Sequence, residues 1–127
     1  MIKGHGIDII EISRIREMCE RHGDRFVERV FTQREAGYCR EHRDPFPRFA
    51  ARFAAKEAAL KVIGTGWRDG IAWTDVEVVN EPSGAPTLRV SGLVETRARE
   101  LGICRWSVSL SHSRDFAVAS VIGTDID

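Results

Sequence analysis

An excess of either charge is what this chain most plainly lacks. Lys and Arg number 19, and so do Asp and Glu. No net field gathers nucleic acid, and any basic site must be a local patch. Cysteine is scarce as well: Cys19, Cys39 and Cys104 are odd in number, far apart and without CxxC or Cys/His spacing. That excludes a disulfide framework and a zinc site and leaves structural free thiols. No apolar run approaches the ~20 residues of a membrane span, and the N-terminus lacks the charged-then-apolar pattern of a signal peptide. The protein is therefore expected in the cytoplasm, without a nucleic-acid or membrane partner. Internal repeats and low-complexity tracts are also missing. What is present is an ordinary globular composition, 43% hydrophobic and 30% charged over 127 residues. That length suits a single domain, residues 1–127, with a real core.

Taken in order, Ile2 to Ile10 reads as a strand, with Ile7 and Ile9 on one face and Asp8 with Ile10 on the other. Gly4 and Gly6 keep its start unencumbered. Ser13 to His22 carries Ile15, Met18 and Cys19 at helical spacing and stops at Gly23. Asp24 can cap a short helix that buries Phe26, Val27, Val30 and Phe31. Thr32 with Glu35 forms a capping box for the next, whose inner side is Tyr38 and Cys39. Arg43 to Pro47 reads as a loop, because proline cannot continue a helix. Beyond the central helix, Gly64, Gly66 and Gly70 make a pliant loop through Trp67, which either lies against a ligand or covers the core. Ile71 to Val79 and Thr87 to Val90 read as a hairpin, Ser91 to Leu101 as a helix stopped by Gly102, and Trp106 to Ser111 with Phe116 to Ile122 as a closing hairpin. The class is α+β, a largely antiparallel sheet packed on a long buried helix.

That helix lies within Arg48 to Gly66, RFAARFAAKEAALKVIGTG. Phe49, Phe53, Leu60 and Ile63 make one bulky apolar side, and Ala51, Ala55, Ala58, Ala59 and Val62 cover much of the other, so the helix is buried. Arg48, Arg52 and Lys56 run along it at i,i+4 as a basic stripe, and Gly64 is its stop. Glu57 is the anomaly, an acid among Phe53, Ala54 and Leu60. A buried carboxylate without a partner costs several kcal/mol, so either Lys61, at i+4, neutralises it or a cation does. Asp8 poses the same question on its strand, where capping the following helix is the simpler alternative. His112, in SLSHS, is by residue type a structural or surface histidine, and its nearness in sequence to Ser109, Ser111 and Asp115 supports no triad. Arg14, Arg21 and Arg25 read locally as a solvated face.

Three separated stretches together change these readings: GHGIDIIEISRI from Gly4 to Ile15, the central RFAARFAAKEAALKVIGTG, and SLSHSRDFAVASVI from Ser109 to Ile122. In this order they resemble the holo-[acyl-carrier-protein] synthase family, the small trimeric 4′-phosphopantetheinyl transferases of bacteria. The resemblance implies transfer of the 4′-phosphopantetheine arm of coenzyme A to a serine of apo acyl carrier protein, in support of fatty acid biosynthesis, with release of adenosine 3′,5′-bisphosphate. It implies Asp8 and Glu57 as ligands of Mg²⁺, whose hard-oxygen preference suits paired carboxylates. Glu57 and Lys61 become the catalytic pair; the proton acceptor is left open between Glu57, Lys61 and a water on the metal. Arg48, Arg52, Lys61, Gly64 and His112 are implied to bind the coenzyme A co-substrate.

Carrier proteins are acidic, and the resemblance makes Arg14, Met18, Arg21 and Arg25 the docking patch for one. It also implies a homotrimer with active sites between subunits. A non-catalytic coenzyme A sensor would use the same cations but has no use for a metal-attracting carboxylate pair. A purely structural oligomerisation domain would leave both carboxylates unexplained.

Overall fold

The computed structural model describes residues 1–67 and 70–125. The chain runs β1 (Ile2–Glu11), α1 (Ile12–His22), α2 (Asp24–Val30), α3 (Gln33–Arg40), α4 (Phe46–Ile63), β2 (Val76–Asn80), β3 (Pro86–Val90), α5 (Gly92–Glu100), β4 (Arg105–His112) and β5 (Phe116–Thr124). All described pairings are antiparallel, in agreement with the α+β class. The strands divide between a three-stranded sheet ordered β1-β5-β4 and the separate β2-β3 hairpin, rather than forming one sheet.

α4 lies against β1 and β5, and its alanines are the reason it comes so close. Ala54, Ala55, Ala58 and Ala59 are wholly buried, as are Ala117, Ala119 and Val121 of β5. The approach is tight enough to dictate the opening motif. A Cβ at Gly6 would sit 2.1 Å from the Ala58 carbonyl oxygen, and one at Gly4 would sit 2.9 Å from Val62 Cγ1. The two glycines are therefore needed for strand-on-helix contact, a stronger demand than an unencumbered strand start. Because the obstacle at Gly6 is helix backbone, Gly6→Ala is expected to cost about 3 kcal/mol or more, the upper range for overpacking. Urea denaturation monitored by circular dichroism checks it, and an unchanged midpoint would contradict this packing.

Several local expectations hold. Thr32 Oγ1 accepts the Glu35 N–H at 3.1 Å and Glu35 Oε1 accepts the Thr32 N–H at 2.9 Å, the reciprocal capping box. Gly64 adopts φ +75° with its N–H on Leu60 O at 2.8 Å, and Gly23 and Gly102 also take positive φ at helix ends. Others need correction. α4 begins at Phe46, so Pro47 lies inside its first turn, where a missing N–H has no intrahelical partner to lose. Asp24 makes no capping bond; it is the first residue of α2 and pairs with Arg40 at 3.4 Å. Ile71 to Asp75 is not strand. Asp75 accepts the Ala72 N–H at 3.0 Å and folds Trp73–Asp75 into a 3₁₀ turn, delaying β2 to Val76. Arg68 and Asp69 of the glycine loop lie outside the described residues.

The basic stripe on α4 turns inward. Lys56 is wholly buried; its Nζ donates to Glu35 Oε1 at 2.8 Å, to Trp73 O at 3.2 Å and to Val76 O. Glu35 is equally enclosed, and its Oε2 accepts the Val78 N–H at 2.8 Å. One ion pair thus ties α3, α4 and β2 together. Burial holds the Lys56 amine below its ordinary value, against the opposing pull of Glu35. On the far side of the three-stranded sheet nothing among the described residues covers Ile7, Ile9 and Phe116, which are 58%, 64% and 45% exposed.

Candidate active site

The alternation of β1 sends Ile7 and Ile9 outward and turns Asp8 towards the α4 side, where its side chain is 21% exposed. Lys61 reaches across from α4: its Nζ donates to Ile7 O at 2.7 Å and to Asp8 Oδ1 at 3.1 Å. Lys61 therefore pairs with Asp8, 53 residues away, and of the two alternatives for Glu57 the intrahelical pair with Lys61 is not the one formed. Glu57, one turn earlier on α4, is half-buried. Its carboxyl is pushed above the ordinary value of 4.5, first by burial and then by the negative charge of Asp8. The Trp67 indole, Lys61 and Arg14 act in the opposite direction.

Asp8 and Glu57, remote in sequence, thus stand close enough to repel, with Lys61 and Arg14 beside them. A cleft of 280 Å³ lined by Ile7, Asp8, Ile9, Lys61 and Val118 opens there. It joins Asp8 and Lys61 to Ile7, Ile9 and Val118 of the sheet, and Glu57 is not part of its lining. A roomier hollow of 590 Å³ lies over α2 and α3, but its lining includes neither carboxylate nor Lys61. The chemistry points to the smaller cleft.

Among the described residues no three His, Cys, Asp or Glu side chains gather as metal ligands. The donor set is two carboxylates. That fits a hard cation such as Mg²⁺, which keeps several waters and takes substrate phosphate oxygens alongside one or two protein carboxylates. The mutual repulsion of Asp8 and Glu57 is what such a cation would relieve.

The remaining expected residues are placed as follows. Gly64, at the end of α4, is exposed and has nothing within 4 Å of where a Cβ would stand. Arg48 is half-buried in the first turns of α4, nine residues before Glu57, or roughly 13 Å along the axis. Arg52 is only 3% exposed; its guanidinium lies 4.3 Å over the Tyr38 ring and donates to Asn80 Oδ1. Five residues from Glu57, it points some 140° around the helix, so the chain does not bring Arg52 to the carboxylates. His112 is the exposed last residue of β4, opposite Ala117, which is itself opposite Ile10. Two strand spacings, roughly 10 Å, separate the backbones of His112 and Ile10. Arg14, Met18 and Arg21 share the outer line of α1, above buried Ile12 and Ile15, and Arg25 follows on α2, likewise exposed. Two features escape local reading: the buried Lys56–Glu35 pair and the stacking of Trp67 on Trp73 with centroids 3.7 Å apart. The first had a signal, a lysine set directly after Ala54 and Ala55 on a helix read as buried.

The fold is thus an α+β scaffold that sets an Asp8–Lys61 pair in an open cleft with a second carboxylate, Glu57, close by. The family model for the 4′-phosphopantetheinyl transferase superfamily matches residues 4–121, and the chain belongs to that superfamily. More particularly, its full-length relatives carry the name holo-[acyl-carrier-protein] synthase. The one from Koribacter versatilis (strain Ellin345) is 50% identical over 125 residues, covering 98% of this chain and 100% of the relative. That of Solibacter usitatus (strain Ellin6076) is 44% identical over 122 residues, 96% of this chain and 98% of the relative. Among solved structures, the synthase of Neisseria meningitidis superposes with a TM-score of 0.88 at 31% identity, over 98% of this chain and 100% of that one. The Bacillus anthracis synthase in complex with CoA (3′,5′-ADP) superposes with a TM-score of 0.80 at 37% identity, over 98% of both chains.

Proposed function

We propose that this chain, as one domain spanning residues 1–127, is a holo-[acyl-carrier-protein] synthase. It transfers 4′-phosphopantetheine from coenzyme A to a serine of apo acyl carrier protein in the cytoplasm, in support of fatty acid biosynthesis. The observation that carries this reading is the Asp8–Lys61 pair at a cleft, with Glu57 near enough to feel the charge of both, in a chain of this superfamily. The serine Oγ attacks the phosphorus that bears the pantetheine arm. The bond from that phosphorus to the bridging pyrophosphate oxygen breaks, and adenosine 3′,5′-bisphosphate leaves. Asp8 and Glu57 would hold Mg²⁺, which would neutralise charge at the pyrophosphate. Lys61 moves its charge from Asp8 to a phosphate oxygen. The serine proton passes to the Glu57 carboxylate. Incubation with coenzyme A, Mg²⁺ and an apo carrier tests the whole: the carrier must gain the mass of phosphopantetheine on its serine, and an unchanged mass sinks the reading.

Assembly follows from the uncovered sheet face. Ile7, Ile9 and Phe116 form an apolar surface of the kind that marks protein–protein contact, and the cleft opens onto it. In a homotrimer a neighbour would close the cleft and bring Arg48 or His112 to the coenzyme A phosphates, which explains why one chain leaves them remote. Mixing inactive Glu57→Ala chains with inactive His112→Ala chains is expected to restore part of the activity. A fully active monomer in light scattering would contradict it.

Carrier docking falls to the exposed line of Arg14, Met18, Arg21 and Arg25. Arg14 is also close enough to influence Glu57, so a carrier bound there stands next to the reacting centre. Rim charges act over ~10 Å at 0.1 M salt. Arg25→Glu is expected to raise the KM for the carrier by about tenfold at low salt and less at high salt, without altering the KM for coenzyme A. Loss of coenzyme A affinity instead would assign this helix line to the nucleotide.

A further inference from the structure

The loop after α4 carries an aromatic ladder that the reaction described so far does not use. Phe53 stacks on Trp73 at 4.9 Å between centroids, and Trp73 stacks on Trp67 at 3.7 Å with planes 29° apart. Phe53 and Glu57 lie one turn apart on the same line of α4. A stack built outward from Phe53 therefore returns the Trp67 indole to the side of Glu57. The indole Nε1 is buried and completes no hydrogen bond of ordinary geometry, although the Glu57 carboxylate lies near enough to feel it. A buried donor left unmade is costly and marks a group kept for something else. The indole acts on the Glu57 carboxylate, whose ionised form it favours.

We propose that Trp67 is a positioning residue for Glu57: the stack on Trp73 fixes the indole plane so that its N–H holds one carboxylate oxygen and turns the other towards Asp8. Loop and helix are thereby coupled. The glycines at 64 and 66, both at positive φ, let the chain double back so that the indole meets the helix it has just left. This rests on the carboxylate pair as the reacting centre. Groups that orient metal ligands from behind typically change metal affinity 10–100-fold when removed.

The test uses the full ¹⁵N-labelled chain, which has only three tryptophans. The Trp67 indole signal is assigned by its loss in Trp67→Phe, a change that removes the donor and keeps a ring to stack. In the wild type that signal is expected to exchange slowly, to move on adding Mg²⁺, and to move again in Glu57→Gln. Trp67→Phe is expected to fold, to bind Mg²⁺ about tenfold more weakly by calorimetry, and to lose about tenfold in kcat with the KM for coenzyme A unchanged. If Trp67→Phe keeps wild-type Mg²⁺ affinity and kcat while Trp67→Ala does not, the ring only packs and the proposal is overturned. An indole signal indifferent to Glu57→Gln overturns it equally, and decides the matter if Trp67→Phe does not fold. Absence of Mg²⁺ binding in the wild type would defeat the metal reading alone, since the Glu57→Gln comparison still judges the indole.

Discussion

Glu57→Gln is expected to lower turnover by about 10³-fold while raising the melting temperature of the metal-free protein. The loss follows from the proposed role: a charged ligand of the cation would contribute several kcal/mol to stabilising the transferring phosphoryl group, at 1.36 kcal/mol per tenfold. The gain in stability follows from the direction of the Glu57 shift. A carboxyl whose folded pKa is raised favours folding only while protonated. Its advantage is complete below the ordinary value of 4.5 and is lost as pH rises through the elevated folded value. At neutral pH the ionised carboxylate, crowded by burial and by Asp8, therefore opposes folding, and glutamine abolishes that opposition. Scanning calorimetry should find the variant above the wild type at pH 7 in chelator and the two converging below pH 4.5. With Mg²⁺ the order should reverse, because only the wild type retains both charges for the cation. A variant that turns over at the wild-type rate would remove Glu57 from the mechanism.

Glu35→Ala is expected to destabilise the protein by about 3–5 kcal/mol, the cost of leaving a buried charge without its partner. That is a large share of the roughly 5–15 kcal/mol that holds a small domain folded. Lys56 would keep only the carbonyls of Trp73 and Val76, the Val78 N–H would lose its acceptor, and α3 would lose half of its capping box. The double variant Glu35→Leu, Lys56→Met should recover most of the loss, because removing both charges also removes the cost of burying them. Urea denaturation of the two single variants and the double gives the coupling. Additive losses would show that the two side chains do not act as a pair.

What could be read locally was whatever depends on a few neighbouring residues. The Thr32–Glu35 box, the helix stops at Gly23, Gly64 and Gly102, the burial of an alanine-rich helix and the oddity of acids at Asp8 and Glu57 are all of that kind. Each follows from backbone donors, left-handed turns or periodicity within one or two turns of chain. Proline was read too strictly, since Pro47 is harmless in a first turn. Partner choice was beyond such reading. Glu57 is the i,i+4 neighbour of Lys61, yet Lys61 bonds Asp8, which arrives beside it only because Gly6 lets β1 settle on Ala58. Lys56 and Arg52 look like members of one basic stripe, yet they face Glu35, Tyr38 and Asn80 at positions 21, 14 and 28 residues away. A charge is committed to whichever counter-group lies within bonding distance once water has been expelled. Packing brings that group there, so the acids could be recognised along the chain while their cations could be assigned only in three dimensions.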